Sequence, residues 1–353
     1  MNSATPIPSK KNPTRKLGRS ALDVPVLGLG CAALGNLYRP ISDDDAQSTL
    51  RCALSRGWDL FDTAPFYGFG LSEMRLGQEL ATVSKRPVLS TKVGRRLVPC
   101  ELEDEFAVRH GYASPMPFEP VFDYSYDGVM RSHEASLRRL QVDRVDILLA
   151  HDIGPVTHGD QDGERRAEFL QGGLKAMQTL KETGQVRAIG LGVNEWQICV
   201  DLIDAADFDC FLLAGRYSLL DQSALPLLLP RCAQRGVSLM IGGVFNSGIL
   251  VNGSAQAAQS HYDYAAPSQS IVDRVRKLES ICARFNVKLP AAALQFPLAH
   301  PQVACVLVGC AKMAEVEQAD TWFSEPISPE FWSALIAAEL LPESAPVPKQ
   351  ACA

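Results

Sequence analysis

The chain has 353 residues, 46% of them hydrophobic, and carries a formal net charge of −6. That apolar content supports a sizeable core, and the length fits one large domain, since α/β barrels exceed the usual domain size. The dispersed basic residues speak against a nucleic-acid or acidic-membrane partner, and no apolar stretch approaches the ~20 residues of a membrane span.

Residues 1–13 read as a polar, flexible tail without an apolar signal core, and residues 343–353 as a second tail; 14–342 form a single domain. The segment T-R-K-L-G-R-S-A-L-D-V contains a Gly-Arg-Ser turn and predicts a small hairpin at the bottom of the domain. Eight short apolar runs follow, at 24–30, 58–64, 87–93, 145–152, 187–193, 209–215, 237–243 and 303–309. Short continuous runs rich in Val, Ile and Leu read as parallel strands buried on both faces. Helical patterns lie between them. Ser42 reads as the N-cap of the first, Ser72 of the second and Asp127 of the third, while Gly184 ends the fourth. Further helices are expected at 196–206, 222–235, 268–285 and 312–323. Eightfold strand–helix alternation predicts an α/β fold, a (β/α)8 TIM barrel, with a doubly wound sheet as the rival. Long segments at 95–126 and 251–267 would overhang the strand C-termini, where barrel active sites lie.

Ten cysteines include no Cys-x-x-Cys pair, which predicts free, buried thiols and a cytoplasmic protein. G-L-G-C-A-A-L-G at 28–35 has Ala33 where a dinucleotide fingerprint needs glycine, which argues against a Rossmann unit.

Four polar residues fall at one position of the repeat. Asp62 ends the second run, in F-D-T-A-P-F-Y-G, with Tyr67 five residues on. Lys92 ends the third, in L-S-T-K-V-G-R, and His151 ends the fourth. In a barrel all four emerge at one rim. A buried carboxylate needs a partner, and Lys92 on the neighbouring strand supplies one. An ammonium beside a phenol favours the tyrosinate, so Tyr67 can act as acid or base, while His151 holds the reacting oxygen. Gly68 and Gly70 are expected to let the turn approach a ligand closely. No metal is expected: Asp62, His151 and Asp152 are the ligands on offer, and Lys92 opposes a cation there.

F-D-T-A-x-x-Y-G, S-T-K-V-G and D-x-x-x-x-H, in that order, resemble the catalytic segments of the aldo-keto reductase family, and the resemblance runs from about Arg15 to Phe323. It implies a nicotinamide cofactor bound in extended form across the barrel mouth, hydride transfer to or from a carbonyl or carbinol carbon, and Asp62, Tyr67, Lys92 and His151 as the catalytic set. Within the family, F-Y-G-F-G-L-S-E, H-D-I-G-P-V-T-H-G and L-A-G-R-Y-S-L-L are similar to L-fucose (D-threo-aldose) 1-dehydrogenases and pyridoxal 4-dehydrogenases.

The resemblance also assigns the cofactor contacts. The turn after the seventh strand, with Val244, Asn246, Ser247 and Gly248, would take the pyrophosphate. Asn194 would hold the carboxamide after a one-residue shift, and Tyr217 would lie beside the nicotinamide. The adenosine-phosphate clamp corresponds to Gly309, Lys312 and Glu315. A carboxylate at Glu315 repels a ribose 2′-phosphate, which favours NAD, while Lys312, the one positive charge there, leaves NADP as the alternative.

The expected reaction is oxidation of the anomeric hydroxyl of a free aldose to the lactone, with Glu119, Asp123, Tyr124, Asp152, His158 and Asp160 available for sugar hydroxyls. A pyridoxal dehydrogenase or general aldehyde/ketone reductase is the nearest alternative. A non-catalytic nicotinamide-binding regulatory subunit is a reading of another class, against which the intact tetrad argues.

Overall fold

A computed structural model describes residues 12–263 and 265–349. Eight parallel strands form a closed barrel: β1 (Leu27–Gly30), β2 (Leu60–Asp62), β3 (Val88–Val93), β4 (Ile147–His151), β5 (Ala188–Val193), β6 (Cys210–Ala214), β7 (Ser238–Gly242) and β8 (Val303–Gly309). Each pairs with its neighbours in the chain, and β8 closes on β1 in the register Val306↔Leu27 to Gly309↔Gly30. Closure removes the doubly wound alternative, which needs an open sheet.

All the strands but β8 are shorter than their apolar runs. The first run divides: Asp23–Pro25 pairs antiparallel with Thr14–Lys16 as a hairpin, and only Leu27–Gly30 enters the barrel. The hairpin closes the N-terminal end. Its Leu17, Leu22 and Val24 join the barrel interior with Leu60, Ile147, Leu149, Cys210, Met240 and Leu307. Gly18 turns it at φ 54°, and a Cβ there would lie 1.9 Å from the Asp209 carbonyl oxygen, so no other residue fits.

The barrel carries α1 (Asp43–Ser55), α2 (Leu71–Leu80), α3 (Tyr126–Leu140), α4 (Leu174–Glu182), α5 (Trp196–Leu202), α6 (Leu228–Arg235), α7 (Gln269–Phe285), α8 (Leu289–Gln295), α9 (Met313–Phe323) and α10 (Pro329–Ala337). Ser42 caps α1 as expected, accepting from the Asp45 N–H at 3.0 Å. Two expected caps are displaced. Gly70, at φ 101°, starts α2, and Ser72 lies inside it, its hydroxyl donating to the Cys31 carbonyl at 2.8 Å. Ser125, not Asp127, caps α3 by accepting from the Gly128 N–H. In both cases the neighbouring residue has the non-helical backbone a cap requires. The second core lies between strands and helices and reaches past residue 342: Ala345 is buried in it and Val347 packs against it, so the expected C-terminal tail is docked at least that far.

The two overhangs are built rather than loose. In the first, Arg95–Pro99 pairs antiparallel with Phe118–Phe122, and Val108–Arg109 with Tyr112–Ala113. The second holds a helical turn at Ile249–Asn252 and a 3-10 segment at Ser254–Gln259. Its His261 stacks on Tyr38, ring centroids 5.0 Å apart, so the loops after β1 and β7 meet across the mouth. Most of the 1–13 segment lies outside the described residues, and so does Cys352; the other nine cysteines are free and, except half-buried Cys100, buried. Among the described residues no helix is long and apolar enough to cross a membrane.

Candidate active site

The C-terminal rim of the barrel has two unlike halves. On β2 and β4 it ends in Asp62 and His151, and on β3 Lys92 is the last residue but one, before Val93. On β6, β7, β8 and β1 it ends in Ala214, Gly242, Gly309 and Gly30.

The first half holds a compact ionic cluster. Lys92 Nζ, 1% exposed, donates to Asp62 Oδ2 at 2.6 Å, to the Thr63 carbonyl at 2.9 Å and to Tyr67 Oη at 3.0 Å. An ammonium has three protons, so this set matches its donor capacity. Ser90 donates to the other Asp62 oxygen at 2.7 Å. Burial makes each of these charges expensive alone and acceptable together. Tyr67 is set by the turn after β2, where its N–H donates to the Ala64 carbonyl. A Cβ on Gly35 would come within 2.5 Å of Tyr67 backbone, so the loop after β1 braces the turn. The expected ligand-facing role of Gly68 and Gly70 is therefore corrected: Gly68 packs on Gly35, and Gly70 begins α2 against Arg139.

His151 faces Tyr67 edge-on, ring centroids 6.0 Å apart. Burial drives its pKa down to about 3, with Lys92 and Arg95 pressing the same way against the pull of Asp152. The imidazole is thus neutral at physiological pH. Its Nδ1 is buried without a partner among the described residues. The Tyr124 hydroxyl donates to the His151 carbonyl at 2.6 Å and also meets His158 Nε2 at 3.1 Å.

Tyr67, Lys92, His151, Asp152 and Asn194 line one cavity of about 460 Å³, with Phe66 and Tyr112 on its apolar side. Of the six residues expected to meet sugar hydroxyls, only Asp152 lines it. Tyr124 and His158 are buried behind His151. Glu119 pairs with Arg109, Asp123 accepts from Ser125, and Asp160 is exposed. Sequence reasoning missed Arg95, which enters the cavity from the ribbon after β3 and binds Asp152 at 2.6 Å. Its signal was position: it lies three residues past Lys92.

The second half presents backbone. Gly30 and Gly309 are register partners, and a Cβ built on either meets no atom closer than 3.7 Å, which leaves an open trough. At its edge Asn246, Ser247 and Gly248 are consecutive left-handed residues, with φ of 46°, 56° and 98°. Asn246 is buried, donates to the Gly215 carbonyl and has no partner for Oδ1 among the described residues. Val244 is 1% exposed and offers a ligand no surface, so that expected contact is corrected. A trough of bare strand ends beside such a turn suits an extended dinucleotide, and Asn194 lines the neighbouring cavity.

Two expectations fail here. Tyr217 is 0% exposed, its ring against Phe296 and His300, so it offers no face to a nicotinamide. Lys312 is not the one positive charge at the clamp: Arg39, from the loop after β1, binds Glu315 at 3.1 Å. The other Glu315 oxygen accepts from the Ala311 N–H at 2.6 Å, so that carboxylate is held and partly neutralised rather than free. Arg216, unassigned from sequence, pairs with Asp263. Among the described residues no group of three or more His, Cys, Asp or Glu is arranged to hold a metal ion.

Comparison with known proteins agrees with this geometry. The profile of the Aldo/keto reductase family matches residues 26–339. A pyridoxal 4-dehydrogenase of Microbacterium luteolum is 42% identical over 341 residues, covering 94% of this chain and 99% of the relative. A D-threo-aldose 1-dehydrogenase of a Pseudomonas species is 35% identical, covering 92% and 96%. The holo form of an aldo-keto reductase from Bacillus halodurans superposes with a TM-score of 0.72 at 23% identity, covering 94% of this chain and 97% of that one, which speaks to the fold. The chain belongs to the aldo-keto reductase family and is an oxidoreductase of that family's nicotinamide-dependent kind.

Proposed function

We propose that the protein oxidises the hydroxyl of a cyclic hemiacetal, the anomeric position of a free aldose of the L-fucose or D-threo type, to the lactone, with NAD as acceptor. The observation that carries this reading is the contact of Lys92 Nζ with both Tyr67 Oη, at 3.0 Å, and Asp62, at 2.6 Å. Bound NAD would take the hydride released from C1. Tyr67, as the phenolate, takes the hydroxyl proton, and the adjacent ammonium stabilises the oxyanion. Asp62 holds Lys92 in place. Neutral His151 hydrogen-bonds the same substrate oxygen and keeps it near Tyr67. Asn194, the turn from Asn246 to Gly248, Gly309 and Lys312 would hold the dinucleotide. Glu315 would place a carboxylate at the ribose end, where it repels a 2′-phosphate, while Arg39 and Lys312 are the cations that would attract one, so the preference for NAD turns on which of them faces the ribose.

Pyridoxal is the second reading. It is favoured by the 42% identical relative and by the Phe66 and Tyr112 rings, which suit a flat heteroaromatic. Its aldehyde stands beside a hydroxymethyl group and closes to a hemiacetal, so the same proton and hydride steps apply. A panel of L-fucose, L-galactose, D-arabinose, pyridoxal and butyraldehyde, run with NAD and NADP and read by absorbance of the reduced ring, tests both. Oxidation of L-fucose or pyridoxal is expected, NAD being preferred; turnover of butyraldehyde alone overturns the hemiacetal reading.

A further inference from the structure

Arg95 and Asp152 form an ion pair inside the catalytic cavity that the proton and hydride steps do not use. Arg95 NH2 donates to Asp152 Oδ2 at 2.6 Å. The guanidinium lies between two aromatic rings, 4.0 Å from the Phe66 centroid and 4.4 Å from that of Phe122. Two aromatic rings this close to Cζ restrict where the donor fork can move. Asp152 directly follows His151 and has φ 50°, a left-handed conformation uncommon for a residue other than glycine. Its N–H still donates to the Gly192 carbonyl at 2.9 Å, so β4 delivers it to a fixed place. The second carboxylate oxygen receives a long contact, 3.4 Å, from Asn194 Nδ2, and Oδ2 also lies 3.5 Å from His151 Nε2.

The pair is poorly explained as structure alone. Burying two charges costs desolvation that apolar residues of similar volume would avoid, so an ion pair on a ligand cavity points to recognition. It is also left with capacity. Arg95 Nε is buried without a partner among the described residues, and Asp152 Oδ1 is weakly engaged. A guanidinium donor beside a carboxylate acceptor complements a hydroxyl, which both donates and accepts. Being next to His151, the pair meets the substituents flanking the reacting carbon rather than the reacting oxygen itself.

We propose that Arg95 and Asp152 determine substrate specificity by binding a hydroxyl group near the reacting carbon, so that the enzyme selects polyhydroxylated over plain carbonyl substrates. This rests on the hemiacetal reading of the site. Removing a hydroxyl that a charged pair is built to bind leaves buried polar groups unpaired and is expected to lower kcat/KM by about tenfold to a hundredfold, mainly through KM.

The test compares kcat/KM for L-fucose and 2-deoxy-L-fucose, or for pyridoxal and its 3-deoxy analogue if pyridoxal is the better substrate, in wild type, Arg95→Met, Arg95→Lys and Asp152→Asn. The wild type is expected to favour the hydroxylated partner by about tenfold or more. Arg95→Met and Asp152→Asn should bring the ratio within about threefold of unity. Arg95→Lys keeps the charge opposite Asp152 but not the planar fork, and should restore thermal stability without restoring discrimination. General damage to the fold would lower both rates and leave the ratio as in wild type. Variants with a wild-type ratio, or a wild type that does not discriminate, overturn the proposal while leaving the hemiacetal reading intact. A wild type that reduces butyraldehyde but oxidises neither hydroxylated substrate overturns that reading, and the proposal with it.

Discussion

The two halves of the rim solve different problems. The β2–β4 half concentrates charge: Asp62, Lys92 and His151 are each 6% exposed or less, and their positions are fixed by one another. The β6–β1 half reduces its strand ends to alanine and glycine and leaves bare backbone at Gly30 and Gly309. A proton relay requires specific atoms at hydrogen-bond distance, whereas an extended ligand requires a surface with nothing in the way. The first kind of site should fail abruptly when one atom is deleted, and the second should fail by steric filling.

The largest effect is expected on the charged side. Tyr67→Phe removes a single oxygen and should cut turnover by about 10²–10⁴-fold, the range of general acid–base catalysis, while the NAD Kd stays within about threefold. Single-turnover kinetics and a fluorescence titration read the two quantities; comparable turnover would remove Tyr67 from the relay. Lys92→Met acts on stability as well, because it strands the buried Asp62 carboxylate, at a cost of about 3–5 kcal/mol. Adding Asp62→Asn should recover much of that stability in urea unfolding but none of the activity. A double variant no more stable than the single one would mean that Asp62 has another partner of equal strength.

His151 sharpens the comparison by pH. Its folded pKa is about 3, lowered by burial from an ordinary value near 6.5. The unfolded chain therefore binds a proton below about pH 6.5 that the folded chain refuses, so the contribution is present above that pH and is lost as pH falls toward 3. Between pH 7 and 5 this amounts to about 2 kcal/mol. Urea unfolding at both values should show a smaller loss in His151→Gln than in wild type; equal losses would assign the acid sensitivity to other groups.

The same division governs what the sequence made legible. Eight apolar runs and the four residues ending or following them were readable because strand period and strand end place a side chain without further information. The tetrad needed only β2, β3 and β4 to be consecutive neighbours. Arg95 was not readable, because its place depends on the antiparallel ribbon that folds the proline-containing segment back over the mouth. Leu97 pairs with Pro120 there, a pairing tolerated because a two-stranded ribbon leaves one edge of each strand free. Arg39 was missed for a similar reason: it is 276 residues from Glu315 and meets it only because β8 closes on β1. Tyr217 was misplaced because an aromatic after a strand looks the same in sequence whether it faces the mouth or, at φ 67°, turns into the core.

The smallest expected effect lies on the backbone side and is the one most able to break the comparison. Gly309 ends β8 facing Gly30, and a Cβ there has 3.9 Å to its nearest neighbour, so Gly309→Val fits the protein alone. Stability should change by no more than about 0.5 kcal/mol, as for an exposed substitution that meets nothing. The isopropyl group would instead stand in the trough, where an extended dinucleotide needs van der Waals contact with bare backbone. The NAD Kd is expected to rise about tenfold, with turnover at saturating NAD changed much less, since the tetrad across the barrel is untouched. Calorimetric titration gives the Kd directly. A variant that binds NAD as tightly as wild type would place the dinucleotide off the Gly30–Gly309 trough, and the bare half of the rim would then serve only to let β1 and β8 approach.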